Sequence, residues 1–94
     1  MAIQEAVDIA FHIAAGEGWG VPSTYAESFD LLASRGVLAA DVARQLASAA
    51  SLRNRIAHGY ASIDLERLWR ESPIGLDALE RYAAAVAAFV HDVP

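Results

Sequence analysis

Residues 2–15 read AIQEAVDIAFHIAA, and the spacing of the apolar side chains in this stretch is the strongest indication of the fold. Steps of three or four residues separate most of its larger apolar side chains, which are Ile3, Val7, Ile9 and Ile13. That spacing is typical of an amphipathic helix with one face in a protein core. Alanine, the residue with the highest helix propensity, occurs 21 times in the 94 residues. The sequence therefore predicts an all-α fold.

Two further helices are predicted from signals at their ends. Thr24 and Glu27 have the spacing of a capping box, so a helix should run over residues 25–35 and stop at Gly36. A third helix should cover about residues 40–59, with an acidic residue in its first turn and a glycine at its end.

The last part of the chain predicts two more helices. Asp64 is a good N-cap for a short helix over residues 65–71, which Pro73 should end. The final helix should cover about residues 76–91. Because no strand signal, repeat or linker interrupts this pattern, we expect an up-and-down helical bundle of about four to five helices, without a sheet, in a single domain over residues 1–94.

The composition excludes several classes of protein. Hydrophobic residues make up 55% and charged residues 20%, which excludes a disordered chain, and the absence of cysteine excludes disulfides and thiolate metal sites. The three histidines are too scattered for a metal site, so no metal and no other cofactor is expected. No apolar run reaches the roughly 18 residues of a membrane span, and no signal peptide is evident. We therefore expect a cytoplasmic protein that does not use a membrane.

The charge is unevenly distributed along the chain. The net charge of −5 argues against a protein that coats nucleic acid non-specifically. Residues 1–39 carry five acidic residues and one Arg, for −4, and residues 71–94 carry four and one, for −3. Residues 40–70 carry five Arg and three acidic residues, for +2. Only this middle third would attract a polyanion.

Within the basic third, residues 53–60 read RNRIAHGY and concentrate side chains that a helical core does not need. The guanidinium of Arg53 presents a planar set of donors that fits phosphate oxygens. The imidazole of His58 can act as a general acid or base, and Tyr60 adds a hydroxyl group and an aromatic face. The segment is therefore a candidate phosphate-handling site.

The spacing of these residues sets a geometric condition. Asn54 and His58 are four residues apart and share one face of a helix. Arg53 and His58 are five apart, which separates them by about 140° on an uninterrupted helix. They can meet at one phosphate if the helix ends before His58, if Arg53 reaches around it, or if a second chain contributes a residue.

The segment resembles the R-x(4–6)-H-x-Y signature of HEPN ribonucleases, and specifically the HepT-like toxins that pair with minimal nucleotidyltransferase (MNT) antitoxins. Three further segments resemble the same family, namely Asp8-Ile9-Ala10-x-His12, Pro22-x-x-Tyr25-Ala26-Glu27-x-Phe29 and Ile63-Asp64. The resemblance covers about residues 2–90.

The resemblance implies a HEPN-type bundle that acts as a metal-independent endoribonuclease toxin of a type II/VII-like toxin–antitoxin pair. Arg53 and His58 match the catalytic positions of the family, and Asn54 matches a supporting polar position. Tyr60 matches the tyrosine that the antitoxin can adenylylate. The implied partners are a second copy in a homodimer, an RNA substrate and an MNT-type nucleotidyltransferase.

Several alternatives remain open at the level of sequence. Asp8 and His12 are either a second polar pair that supports phosphate binding in the cleft or an ordinary i,i+4 pair on a solvated face. Trp19 is expected to anchor the core or a dimer interface, and Tyr60 could simply pack its ring on the bundle. The alternative to a ribonuclease is a non-catalytic helical partner, or substrate-binding subunit, of a minimal nucleotidyltransferase.

Overall fold

The computed structural model describes residues 1–55 and 60–92, with side chains for residues 1–51 and 65–91. Within these residues the secondary structure is helical, with no strand. The helices are α1 (Ile3–Gly16), α2 (Tyr25–Ser34), α3 (Ala40–Arg55), α4 (Tyr60–Glu71) and α5 (Pro73–Asp92). The predicted all-α bundle of about four to five helices is confirmed.

Helix α3 lies at the centre of the bundle because it packs against each of the other four helices. Its buried face carries Val42, Leu46 and Ala49 at the predicted helical spacing. Phe29 and Leu32 of α2 are fully buried against the same core. The apolar periodicity of the sequence therefore identifies the core faces of α2 and α3 correctly.

Tyr82 connects three helices through one buried side chain. Its hydroxyl group donates a hydrogen bond of 2.7 Å to the backbone carbonyl of Ala6 in α1. Its ring meets Phe29 of α2 edge to face, with 5.8 Å between the ring centroids. Burial raises the pKa of the Tyr82 phenol far above its usual range, because the charged form would lose its hydration. Tyr82 thus remains a neutral hydrogen-bond donor at the centre of the fold.

The start of α2 has the predicted cap with one difference. The backbone N–H of Glu27 donates to Thr24 Oγ1 at 3.1 Å, as an N-cap requires. The Glu27 carboxylate accepts a 2.8 Å hydrogen bond from the backbone N–H of Ser23, one residue before the position expected in a capping box. At the other end, Gly36 has a φ of +79°, which favours glycine and stops the helix.

The predicted boundaries of α4 and α5 are wrong. Helix α4 begins at Tyr60, so Asp64 lies inside the helix and is not its N-cap. Pro73 opens α5 instead of ending α4. The reason is that Ser72 caps α5, with its Oγ accepting a 3.1 Å hydrogen bond from the N–H of Gly75. Proline is well suited to the first position of a helix because its missing N–H would have no partner there.

The turn between α4 and α5 is closely packed at Gly75. A Cβ atom at this position would overlap the backbone carbonyl of Trp69 in α4. Trp69 itself is half-buried and packs against the core. Glycine at position 75 therefore lets the backbone of α5 lie directly on the end of α4.

One ion pair fastens α5 to the start of α3. The guanidinium of Arg81 donates two hydrogen bonds to the carboxylate of Asp41, at 2.7 and 3.1 Å. Arg81 lies within 3.7 Å of Asp77 as well. The hydrogen bond from Arg81 is the main reason why the pKa of Asp41 lies below its usual value.

Candidate active site

The RNRIAHGY segment spans the junction between α3 and α4. Arg53 and Asn54 belong to α3, which is described as far as Arg55, and Tyr60 is the first described residue of α4. The side chains of Arg53, Asn54 and Tyr60, and the whole of His58, lie outside the described residues. Their predicted roles as catalytic, supporting and modifiable residues therefore stay predictions.

Asp8 and His12, the second predicted pair, lie one turn apart on the exposed face of α1. Asp8 takes its hydrogen bond from another neighbour, because Gln4 Nε2 donates to Asp8 Oδ1 at 2.9 Å. Among the described residues, no hydrogen bond or ion pair joins Asp8 to His12. The pair shares a face, as its spacing predicts, but the two side chains do not bind each other.

Asp8 and His12 lie in the wall of a cleft between α1 and the chain that leads into α2. We call this the α1 cleft, and its volume is about 460 Å³. The side chains that define it are Gln4, Asp8, Phe11, His12, Pro22 and Tyr25. Cavities of a few hundred Å³ with an apolar lining and a few polar groups are typical of small-ligand sites.

An aromatic pair forms the apolar wall of the α1 cleft. Phe11 of α1 and Tyr25 of α2 are half-buried and meet at 90°, with 6.4 Å between their ring centroids. Such an edge-to-face contact is a favourable arrangement of two aromatic rings. The pair holds a ring in a fixed position next to the polar groups of α1.

The opposite wall is the loop between α1 and α2, which is anchored at Trp19. The indole ring packs against Phe89 of α5 at 6.0 Å between centroids, and the Arg35 guanidinium lies over it at 5.3 Å. Gly20, with a φ of +99°, then turns the chain towards Pro22. Trp19 thus packs against the core, as expected, and anchors the loop whose residues 20–22 line the cleft.

The same loop borders a second cleft of about 440 Å³ on its other side. Residues 20–22 belong to both clefts, and the exposed carboxylate of Asp30 on α2 lines only the second. The loop is therefore a shared wall, and the two clefts carry different polar groups.

The start of α1 also touches α4. The carboxylate of Glu66 accepts a 2.8 Å hydrogen bond from the backbone N–H of Ile3. Glu66 lies six residues beyond Tyr60, or about 9 Å along the axis of α4. The turn of α1 that carries Gln4 is therefore held next to the helix that begins at the RNRIAHGY segment.

Gln4, Phe11 and Tyr25 were not identified as site residues from the sequence. A signal was present, because Gln4, Asp8 and His12 recur every four residues and therefore share one helix face. The aromatic wall gave no such signal, because Phe11 and Tyr25 come from different helices and meet only in the folded chain.

The described residues, 1–55 and 60–92, contain no group of three or more His, Asp and Glu side chains placed to hold a metal ion. In the same part of the chain, no helix combines the length and apolar character needed to cross a membrane.

Comparison with known proteins gives two matches, and the description of each names a HepT nuclease or ribonuclease. A sequence model of a protein family described as ribonuclease HepT-like matches residues 1–86. A curated protein of Aphanizomenon flos-aquae, named tRNA nuclease HepT, is 29% identical over 87 residues, which cover 93% of this chain and 59% of the relative. The chain thus spans about three-fifths of the length of that relative. No solved structure is significantly similar to the chain.

Proposed function

The chain belongs to the HepT-like ribonuclease family, and from this premise we propose that it is a metal-independent endoribonuclease that acts as the toxin of a toxin–antitoxin pair. The observation that carries the proposal is that the family match over residues 1–86 includes the whole RNRIAHGY segment. The curated relative is named a tRNA nuclease, so tRNA is the first substrate to test.

The proposed reaction is transesterification within the RNA backbone. His58 takes the proton of a 2′-hydroxyl group, whose oxygen attacks the adjacent phosphorus while the bond to the 5′-oxygen breaks. The leaving oxygen receives a proton from an imidazolium or from water, which leaves a 2′,3′-cyclic phosphate and a 5′-hydroxyl end. Arg53 stabilises the negative charge on the phosphate oxygens in the transition state, and Asn54 supports it with its amide group.

We propose that two copies form this site in a homodimer. A two-fold axis near the junction of α3 and α4 would satisfy the third of the three geometric conditions, in which a second chain contributes a residue. A dimer would double the sedimentation mass of the 10.0 kDa chain at micromolar concentration. A monomer that still cleaves RNA would contradict the shared site.

The cleavage test uses purified protein and tRNA in the presence of EDTA. His58→Ala and Arg53→Ala should each lower the cleavage rate by about 10²–10⁴-fold, which is the usual contribution of such groups. Arg67→Ala is the matched control, because Arg67 is an exposed arginine of the same basic third, paired only with Glu71 among the described residues. Products should end in 2′,3′-cyclic phosphate. Cleavage by His58→Ala at the parent rate would contradict the mechanism.

Regulation is proposed to act on Tyr60. A partner MNT-type nucleotidyltransferase would join the Tyr60 hydroxyl oxygen to the α-phosphorus of ATP and release pyrophosphate. The new phosphodiester would compete with RNA phosphate for Arg53. Incubation with the partner enzyme, ATP and Mg²⁺, followed by peptide mapping, should place the added mass on the peptide with Tyr60, and Tyr60→Phe should abolish it. Full inhibition without added mass would favour inhibition by binding alone.

A further inference from the structure

We infer that the α1 cleft is a nucleobase subsite that selects guanine in single-stranded RNA. The inference rests on the proposed ribonuclease function for its RNA ligand, and it assigns a binding partner to a cleft that has no role in the proposed reaction steps at Arg53 and His58. Three observations carry it, namely the aromatic wall, the Asp8 carboxylate in the lining of the cleft and the charge around the cleft.

The shape of the cleft fits a flat aromatic ring. Its volume of about 460 Å³ lies in the range of small-ligand sites, and the half-buried rings of Phe11 and Tyr25 form one side of it. Unpaired RNA bases bind proteins by stacking on such aromatic side chains while their Watson–Crick edges form hydrogen bonds. A base lying on this wall would direct its edge towards the polar face of α1.

Asp8 supplies the hydrogen-bond acceptor on that face. The 2.9 Å hydrogen bond from Gln4 Nε2 holds Oδ1 in place and leaves lone pairs on both carboxylate oxygens. A carboxylate accepts hydrogen bonds only and repels phosphate, so the groups it can bind in RNA are the N–H donors of a base and the 2′-hydroxyl, and the latter is absent from a 2′-O-methyl probe. His12, one turn further along α1, adds a ring nitrogen that can donate a hydrogen bond.

Guanine is the base whose edge matches this arrangement. Its N1–H and its 2-amino group are two neighbouring donors, which a carboxylate can accept together, and its O6 is an acceptor for His12. Adenine and cytosine each place one amino donor beside a ring nitrogen acceptor, which a carboxylate repels. Uracil offers a single N–H between two carbonyl groups. Asp8 and His12 together therefore distinguish guanine from the other three bases.

The surrounding charge separates base binding from phosphate binding. The cleft belongs to the acidic part of the chain, where residues 1–39 carry a net −4. Removing a carboxylate from such a region should strengthen the general attraction for RNA. If the cleft binds guanine, removal of the Asp8 charge should instead weaken the binding of guanine, and this opposite direction of the effect is the basis of the test.

The experiment measures binding of short 2′-O-methyl uridine oligonucleotides that the proposed reaction cannot cut. Each probe carries guanine, inosine or adenine at its centre, and fluorescence anisotropy gives its Kd with the full chain. The guanine probe should bind about tenfold more tightly than the inosine probe, which lacks only the 2-amino group, and the adenine probe should be weaker still.

Two variants with the same change of charge complete the test. Asp8→Asn should abolish the preference for guanine over inosine, because its amide keeps one acceptor oxygen and replaces the other with a donor, so it cannot accept from N1–H and the 2-amino group together. Asp30→Asn is the matched control, since Asp30 is exposed in the second cleft, and it should keep the preference in full. Equal binding of the guanine and inosine probes by the parent protein, or an unchanged preference in Asp8→Asn, would overturn the inference.

The result is distinguishable from failure of the ribonuclease proposal. A protein that cleaves tRNA but shows no preference among the probes lacks the subsite and keeps the proposed reaction. A protein that prefers the guanine probe through Asp8 but does not cleave tRNA has the subsite and lacks the reaction.

Discussion

The first three helices and the last two differ in how many of their large apolar side chains are exposed to solvent. In α1, α2 and the described part of α3, no large apolar side chain is exposed, and these helices supply most of the buried core. Helices α4 and α5 instead expose a row of apolar side chains, which are Leu65, Leu68, Ile74, Leu76 and Val90. Among its described side chains, α4 contributes none to the fully buried set.

This difference indicates which helices contribute most to the free energy of unfolding. A buried side chain contributes through the loss of its contact with water and through packing, and both are lost when it is truncated. Truncating an exposed side chain changes the free energy of unfolding little, because that side chain is hydrated before and after folding. Substitutions should therefore be costly in α1–α3 and tolerated in α4 and α5, except where the last two helices touch the core or each other.

The largest effect is expected for Phe29→Ala in α2. Phe29 is 0% exposed and packs against Tyr82, so its removal leaves a cavity at the contact of α2 and α5. The free energy of unfolding should fall by about 3–5 kcal/mol, as for other buried phenylalanines. Urea unfolding followed by circular dichroism measures it. A loss below about 1 kcal/mol would contradict the division between the two regions.

Gly75→Ala tests the exception within the last two helices. The added methyl group would overlap the Trp69 carbonyl, so α4 and α5 must move apart. Overpacking of this kind typically costs about 1–3 kcal/mol. The matched control is Gly16→Ala, because a Cβ atom there meets nothing within 4 Å. Equal unfolding midpoints for the two variants would show that the turn is not closely packed.

Tyr82→Phe tests the burial of the Tyr82 phenol through the pH dependence of stability. The variant should lose about 0.5–1.5 kcal/mol at neutral pH, because the hydrogen bond to Ala6 is lost. The raised pKa of Tyr82 makes the stability of the parent protein fall as the pH rises above about 10, where the unfolded tyrosine ionises and the buried one does not. Tyr82→Phe lacks this contribution, so the advantage of the parent protein should shrink above about pH 10 and change sign before about pH 12. A constant difference would contradict the burial of the phenol.

The smallest effect is expected for Leu68→Ala in α4. Leu68 is 66% exposed, so truncation should change the free energy of unfolding by less than about 0.5 kcal/mol. Thermal unfolding at two protein concentrations provides the measurement. A loss of several kcal/mol that depends on concentration would show that this face is buried in an assembly, and the contrast between the two regions would then hold only for the isolated chain.

Local signals predicted the fold well where one signal dominated. Thr24, Glu27 and Gly36 mark the ends of α2 because a cap and a left-handed glycine act within a few residues. The predicted boundaries at Asp64 and Pro73 were wrong because each of these residue types occurs at two different positions in helices. Aspartate occurs inside helices as well as at their caps, and proline can open a helix as well as end one. For Pro73 the Ser72 side chain decides the outcome, because its Oγ caps α5 by accepting from the N–H of Gly75.

The candidate site was predictable only in part. The spacing of Asp8 and His12 placed both on one face of α1, since helical geometry fixes that relation. The choice of Gln4 as the partner of Asp8 depends on side-chain rotamers, which spacing does not determine. The contact of Phe11 with Tyr25 depends on the path of the intervening loop. The roles of Arg53 and His58 come from the family resemblance and await the cleavage test.

The hydrogen bonds that hold α1 have a consequence for the order of folding. The N–H of Ile3 binds Glu66 and the carbonyl of Ala6 binds Tyr82, across 63 and 76 residues of sequence. During synthesis on a ribosome, α1 emerges well before both of these partners. Helices α2 and α3, which follow each other directly, can pair much earlier, since closing a short loop costs less entropy. Helix α1 therefore gains its neighbours in two stages: its apolar face can pack on α2 and α3 early, and its hydrogen bonds to Glu66 and Tyr82 form only after α4 and α5 have been made.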